Sequence, residues 1–260
     1  MRFHKLLLLA GLALPASAHA GSILIVTGAT GTSEPGTTAQ ITTNLTALHV
    51  GAGNTVTVED GIPSDLSGFS QVWDLRFSSV FALTPAQQSQ YVAFAQAGGG
   101  LFVMGENSGF QARNDSIAAL LQDLGAGVIG FDNGLSSTQT VNAPFTGPTP
   151  VNSVTYAAPG GFSSAGNCQY ISQVGTSGTG IACAVGTLTN APAGAFTSIL
   201  DVNFLQFSFG AGNEALARNL VGFVGDQVDP PNEVPEPGTL ALLGAGLLGL
   251  GAARRARRRV

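Results

Sequence analysis

Gly98-Gly99-Gly100-Leu101-Phe102-Val103-Met104-Gly105-Glu106-Asn107-Ser108-Gly109 is the stretch on which the reading of the fold turns. Four consecutive apolar residues between glycines fit a strand buried on both faces, because a strand with one wet face would alternate. Polar residues begin at Glu106, so the carboxyl end of this strand opens onto a turn. Just upstream, Thr84-Pro85-Ala86-Gln87 offers an N-cap threonine, a proline at the first helical position and a glutamine at N3, which together start a helix. Tyr91, Phe94 and Ala95 supply its apolar face, and the three glycines end it. A capped helix running straight into a buried strand is half of a βαβ unit.

The same alternation extends outward in both directions. Ser22-Ile23-Leu24-Ile25-Val26-Thr27 reads as a buried strand, Ile41, Leu45 and Leu48 as a helix face, and Thr55–Val58 and Gln71–Leu75 as further strands. Downstream, Ile117, Leu120, Leu121 and Leu124 mark a helix stopped by Gly125. Thr197–Asp201 reads as a last strand, and Asn213 as the cap of a last helix that turns Leu216, Leu220 and Phe223 inward. Between them, residues 134–195 are short β-like pieces among Gly, Pro, Ser and Thr, a β-rich insertion. The expectation is an α/β domain over 21–224: a parallel sheet with helices on both faces and right-handed crossovers, with any ligand beyond the carboxyl ends of its strands. Residues 225–233 read as an acidic, proline-bearing linker.

The two ends have a different character. Residues 1–20 combine a basic start (Arg2, Lys5), an apolar run from Leu6 to Ala16 and Ser17-Ala18-His19-Ala20, the three parts of a signal peptide cut by signal peptidase after Ala20. At the other end, Val234-Pro235-Glu236-Pro237 precedes an uncharged apolar segment, 240–253, and then Arg254, Arg255, Arg257, Arg258 and Arg259. Arginines beside an apolar span stay on the cytoplasmic side. At ~1.5 Å per residue the segment is a short transmembrane helix of ~21 Å against a hydrocarbon core of ~30 Å, which suits a transient anchor. This tail is similar to the PEP-CTERM sorting signal of Gram-negative bacteria, also called an ice-binding protein C-terminal domain. The resemblance implies an exported protein processed by exosortase, a membrane transpeptidase. The inner membrane would hold an intermediate, and the cell surface or extracellular matrix would be the destination. The resemblance also implies a link to biofilm and exopolysaccharide.

Charge bounds the partners. From Gly21 to Gly238 there are three arginines, Arg76, Arg113 and Arg218, no lysine and fifteen carboxylates, a net charge of −12. Such a surface repels nucleic acid and anionic lipid. Cys168 and Cys183, an even count in an oxidising compartment, point to one disulfide. No C-x-x-C spacing and no sequence repeat occurs.

Two turns carry candidate chemistry. Thr27-Gly28-Ala29-Thr30-Gly31-Thr32-Ser33-Glu34 has part of a dinucleotide fingerprint, but Glu34 stands where the third glycine belongs, and a carboxylate beside a pyrophosphate is unfavourable. It reads as a glycine-rich loop, and no cofactor is expected. Gly105-Glu106-Asn107-Ser108-Gly109 has the G-x-Nu-x-G frame of a nucleophile elbow. With Val72-Trp73-Asp74-Leu75-Arg76 and Gly98–Leu101, it resembles the class I glutamine amidotransferase-like superfamily, over roughly 22–130 and 196–224. The resemblance implies a flavodoxin-like sheet. It does not carry over the catalytic groups: the cysteine nucleophile falls on Asn107, and no downstream histidine exists. Ser108 would need some other base. His49, the histidine of the body, reads as a helix C-terminal residue favoured by the dipole.

Asp74, Arg76, Glu106, Asn107 and Asp201 gather at the strand ends. They fit a ligand or ion site (Ca²⁺ takes oxygen ligands), general acid–base work, or structural pairing of Arg76 with Asp74 or Glu106. Which metal, if any, is not legible. The reading is a non-enzymatic domain for binding or structure. The alternatives are a surface hydrolase using the strand-end carboxylates and a polysaccharide- or ice-binding adhesin. An ice-binding face would need repeated threonines.

Overall fold

The computed structural model describes residues 20–132 and 134–229. Most of the leader, the motif Val234–Pro237 and the apolar segment 240–253 lie outside the described residues. Among the described residues no helix is long and apolar enough to cross a membrane.

The elements run in the order β1 (Ser22–Val26), α1 (Pro35–Gly51), β2 (Thr55–Glu59), β3 (Gln71–Asp74), α2 (Pro85–Gln96), β4 (Gly100–Val103), α3 (Gln111–Leu124), β5 (Ile129–Asp132), β6 (Thr138–Val141), β7 (Ser153–Thr155), β8 (Gly161–Ala165), β9 (Gln169–Val174), β10 (Ser177–Cys183), β11 (Ala195–Ile199) and α4 (Asn213–Val228). The strand order is β2-β1-β3-β4-β11-β10-β9-β6-β7, with β8 joining β10 and β5 joining β8. The first five strands are parallel, in the order of doubly wound sheets. From β11 onward every pairing is antiparallel.

The expectation of a parallel sheet is therefore corrected to a mixed one. The β-rich stretch continues the same sheet. Strands β9 and β10 are joined by a short turn between Val174 and Ser177, and only antiparallel neighbours can be joined that way. Strand β10 is buried at all seven positions and shows no alternation to announce a sheet interior.

Helices cover both faces of the parallel part. On one face Ile41, Leu45 and Leu48 of α1 and Leu216, Leu220 and Val224 of α4 pack with Ile23, Ile25, Trp73 and Phe102. On the other, Tyr91 and Phe94 of α2 and Ile117, Leu120, Leu121 and Leu124 of α3 pack with Leu24, Val26, Val72, Leu101 and Val103. Each buried aliphatic or aromatic side chain contributes roughly 1.5–3 kcal/mol. The start of α2 is a full capping box: Thr84 accepts from the Gln87 amide, and Gln87 reaches back to the Thr84 N–H. The last helix differs from expectation. Gly212, with φ 83°, is its N-cap and Asn213 its first residue, and the helix runs to Val228, into the stretch read as linker. Val228 holds it there by packing against Gly100.

A buried polar network fixes the antiparallel part. The Gln139 side chain donates to Thr179 Oγ1 (2.6 Å) and accepts from Ser172 Oγ (3.0 Å) and the Thr179 N–H (3.1 Å). Thr179 Oγ1 in turn donates to the Gly160 carbonyl (3.0 Å). Satisfied networks of this kind specify one register. Cys168 and Cys183 are joined, with Cα atoms 4.5 Å apart, and tie the start of β9 to the end of β10. A bridge closing a loop of this length contributes ~3 kcal/mol.

The two exits of the domain meet at the amino ends of the parallel strands. The Gly21 N–H donates to Asn54 Oδ1 (3.0 Å), just before β2, and Gln71 Nε2 donates to Asp229 Oδ2 (3.4 Å), just after α4. A Cβ on Gly21 would lie 2.6 Å from that same Asp229 oxygen.

Candidate functional site

The sequence-selected polar residues all come to the carboxyl ends of β3, β4 and β11, but they form two separate groups. The first centres on Asp74. Its carboxylate receives Arg76 Nε (2.8 Å) and Nη2 (2.7 Å) as a two-pronged pair, the Arg76 N–H (3.1 Å) and the Tyr91 hydroxyl (3.1 Å). Arg113 Nη2 stands 3.2 Å from Asp74 Oδ2, an ion pair whose angle falls short of a hydrogen bond. Arg113 is held instead by the carbonyls of Met104 (3.0 Å) and Phe81 (2.9 Å). Burial alone would raise the Asp74 pKa, but the guanidiniums of Arg113 and Arg76 outweigh it and hold the carboxyl at about 2. Burial pushes Tyr91 well up, so the phenol stays neutral.

The second group has no cation. Gly105 and Leu200 form a bridge between the ends of β4 and β11, so Glu106 and Asp201 leave neighbouring strands side by side. Glu106 accepts from the Asn107 N–H (2.9 Å), Asn107 Nδ2 (3.0 Å) and the Val202 N–H (2.7 Å). Asp201 accepts from the N–H groups of Ala157 (2.8 Å), Ala158 (3.2 Å) and Asn203 (2.8 Å). Burial raises both carboxyls, Glu106 to about 7, against the N–H donors of Val202 and Asn107 and with the charges of Asp201 and Glu34 adding to the rise. The two carboxylates thus sew three strand-end loops together.

This arrangement settles the partner of Arg76: it pairs with Asp74 and not with Glu106. Sequence reasoning missed Arg113, Tyr91 and Asn114. The signal was present, because Arg113 falls in the i, i+4, i+7 pattern of Ile117, Leu120 and Leu124, and Tyr91 lies on the apolar face of α2. Asn114 holds the turn by accepting from the Glu106 N–H (3.1 Å) and donating to the Glu106 carbonyl (2.7 Å).

The turn itself departs from a nucleophile elbow. Asn107 has φ −59° and ψ 177°, unstrained extended backbone, and its Oδ1 accepts from the Gly109 N–H (2.9 Å) as an N-cap. His49 is also corrected. It is fully buried, its ring meets Trp73 edge-on at 4.8 Å, and burial lowers its pKa to about 3. A neutral imidazole gains nothing from the helix dipole as a cation.

Space at the strand ends is small. A cavity of about 70 Å³ borders Ser108, Asn114, Asp132, Gly161 and Leu200, room for roughly two waters. A larger groove, about 750 Å³, lies elsewhere, along Asp115, Ala118, Ala119 and Gln122 of α3 and Val128. A third, about 360 Å³, is lined by Thr138, Thr140, Asn142, Ser153 and Gln173 with no charged group. Among the described residues no three His, Cys, Asp or Glu side chains are placed to hold a metal ion.

Fold and site together define an α/β domain on a mixed sheet whose strand-end polar groups are internally bonded. Outside it, residues 233–259 match the PEP-CTERM protein-sorting motif. The chain that carries this motif is an exported protein sorted through the membrane by exosortase, as in Gram-negative bacteria. No curated protein matches the chain. Among solved structures, the mmIFT52 N-terminal domain superposes with a TM-score of 0.55 at 12% identity, covering 78% of this chain and 96% of that one. The exo-β-1,4-mannosidase Op5Man5 from Opitutaceae bacterium strain TAV5 gives 0.52 at 14% identity, over 79% of this chain but 36% of the enzyme. A putative ThuA-like protein from Bacteroides uniformis gives 0.49 at 14% identity, over 80% and 94%. At these identities the likeness is one of fold alone, and it shows no amidotransferase-like relationship.

Proposed function

We propose that the α/β domain serves at the cell surface or in extracellular matrix by binding or by building structure, and not by catalysis. One observation supports this above the rest: Asp74, Arg76, Glu106, Asn107 and Asp201 each already bond to partners inside the domain. Asp74 is held by Arg76, Arg113 and Tyr91, and Glu106 and Asp201 by backbone N–H groups. At the nucleophile position Asn107 offers an amide, which does not attack carbonyls, and the His49 imidazole is sealed in the core. The amidotransferase-like relationship belongs to this reading as a degenerate scaffold.

The test is an assay of the purified exported protein on a panel of amide, ester and glycoside substrates. No turnover is expected, and Asn107→Cys creates none, because a thiol still needs a base and an oxyanion hole. The hydrolase alternative draws support from Glu106, whose proton is poised near neutral pH as a general acid requires. Wild-type turnover that Glu106→Gln abolishes at unchanged stability would overturn the non-catalytic reading in its favour. Sorting has its own test: alanine at Pro235, Glu236 and Pro237 is expected to trap the protein in the inner membrane, and normal release would refute it.

The groove along β6, β7 and β9 favours one binding partner in particular. Its hydroxyl and amide lining is uncharged on an otherwise anionic domain, which suits a neutral polysaccharide better than an ion. Glycan-array binding that Thr140→Glu removes would support it.

A further inference from the structure

Strand β2 is one end of the sheet, and among the described residues no strand pairs with its outer side. Odd-numbered residues bond inward: Thr55 N–H donates to the Gly21 carbonyl and the Glu59 carbonyl accepts from Thr27, both 2.9–3.0 Å. The N–H and C=O groups of Val56 and Val58 therefore point outward. Natural edges are protected by lysine, proline or a bulge. Thr55-Val56-Thr57-Val58-Glu59 has none of these, and Val58 is 46% exposed on the α1 face, beside half-buried Val56.

We infer that the free edge of β2 pairs with β2 of a second copy, antiparallel about a two-fold axis at Thr57. In that register Val56 faces Val58 of the partner copy and exchanges two hydrogen bonds with it, and the two-fold repeats the pair, giving four bonds. Residues opposite each other share a face, so each exposed Val58 covers a Val56. Charge selects the orientation. A parallel pairing would set Glu59 and Asp60 against their own copies, whereas the antiparallel one sets Glu59 across from Thr55 and Asp60 across from Asn54, both neutral. With each body strongly acidic, the association strengthens as salt screens the remaining repulsion.

The pairing goes beyond the non-catalytic reading and does not depend on it.

Cysteine at Thr57 tests the register. Residues facing each other across a non-hydrogen-bonded antiparallel position have Cα atoms about 4.5 Å apart, within disulfide range. The native cysteines are bonded to each other, so Thr57→Cys introduces the one reactive thiol. Under mild oxidation the exported protein, purified from cells in detergent, is expected to give a covalent dimer with Thr57→Cys at least tenfold faster than with Thr55→Cys. Val58→Pro removes an outward N–H and no inward one. It should abolish the dimer seen by sedimentation at 0.5 M salt while leaving the melting temperature within a few degrees. A protein monomeric at every concentration and salt, or a dimer in which Thr57→Cys links no faster than Thr55→Cys, overturns the inference.

Discussion

Asp74 and Glu106 are carboxylates of the same sheet, at the ends of adjacent strands and both buried, yet they are stabilised in opposite ways. Asp74 meets two guanidiniums and stays ionised to about pH 2. Glu106 meets backbone and side-chain N–H donors, with another acid beside it, and holds its proton to about pH 7. Desolvation acts on both. What separates them is whether a full positive charge reaches the site. Position at a strand end therefore says little about the state of a carboxylate, and the element packed above the strand says more. Helices α2 and α3 bring Tyr91 and Arg113 over Asp74, while at Glu106 α3 supplies only the neutral amide of Asn114, bonded to the backbone.

The contrast is most sharply broken at Asp74. Asp74→Asn leaves Arg76 and Arg113 buried without a counter-charge and is expected to cost ~3–5 kcal/mol in chemical denaturation. A cost under ~1 kcal/mol would mean that the ionic group is not load-carrying.

Glu106 should behave in the reverse sense. Its folded-state pKa lies above the ordinary 4.5, so its contribution is complete below about pH 4.5 and is lost as pH rises through about 7. Asp74, with a depressed pKa, contributes above 3.8 and loses that contribution as pH falls through about 2. The stability maximum should therefore lie near pH 4–5. The effect of Glu106→Gln on stability is expected to be ~2–3 kcal/mol more favourable at pH 8 than at pH 5, from the size of the shift, because the amide replaces the neutral acid at pH 5 and a buried carboxylate at pH 8. Equal costs at both pH values would show that Glu106 is ionised throughout.

The smallest effect is expected where a charge pair is wet. Arg218 and Glu214, 2.6 Å apart on the exposed side of α4, are each about half exposed. Arg218→Ala should change stability by ~0.3–0.5 kcal/mol and lose even that in high salt. A larger change would mean that the buried and exposed pairs differ less than their surroundings imply.

How far the sequence carried follows from the same residues. Strand β1, the capping box at Thr84 and the apolar faces of α1 and α3 rest on local patterns of 2 and 3.6 residues, and those were legible. So was the gathering of Asp74, Glu106 and Asp201 at strand ends. Their partners were not. Arg113 reaches Asp74, and Val202 reaches Glu106, only once β3, β4 and β11 lie side by side, a matter of strand order and register. The antiparallel extension was hidden for a related reason: β10 is Ser-Gly-Thr-Gly-Ile-Ala-Cys, small residues buried on both faces, with no periodicity to read.

The Gly21 amide has one more consequence. In the uncut chain it is a neutral donor to Asn54, beside the Asp229 carboxylate at the end of α4. Cleavage after Ala20 would turn that nitrogen into an ammonium group in the same place, with a carbonyl oxygen and a carboxylate already around it. Maturation would then fasten the first strand to the last helix with a charged clasp that the precursor lacks. Leader removal would stiffen the domain at the very point where its tail begins.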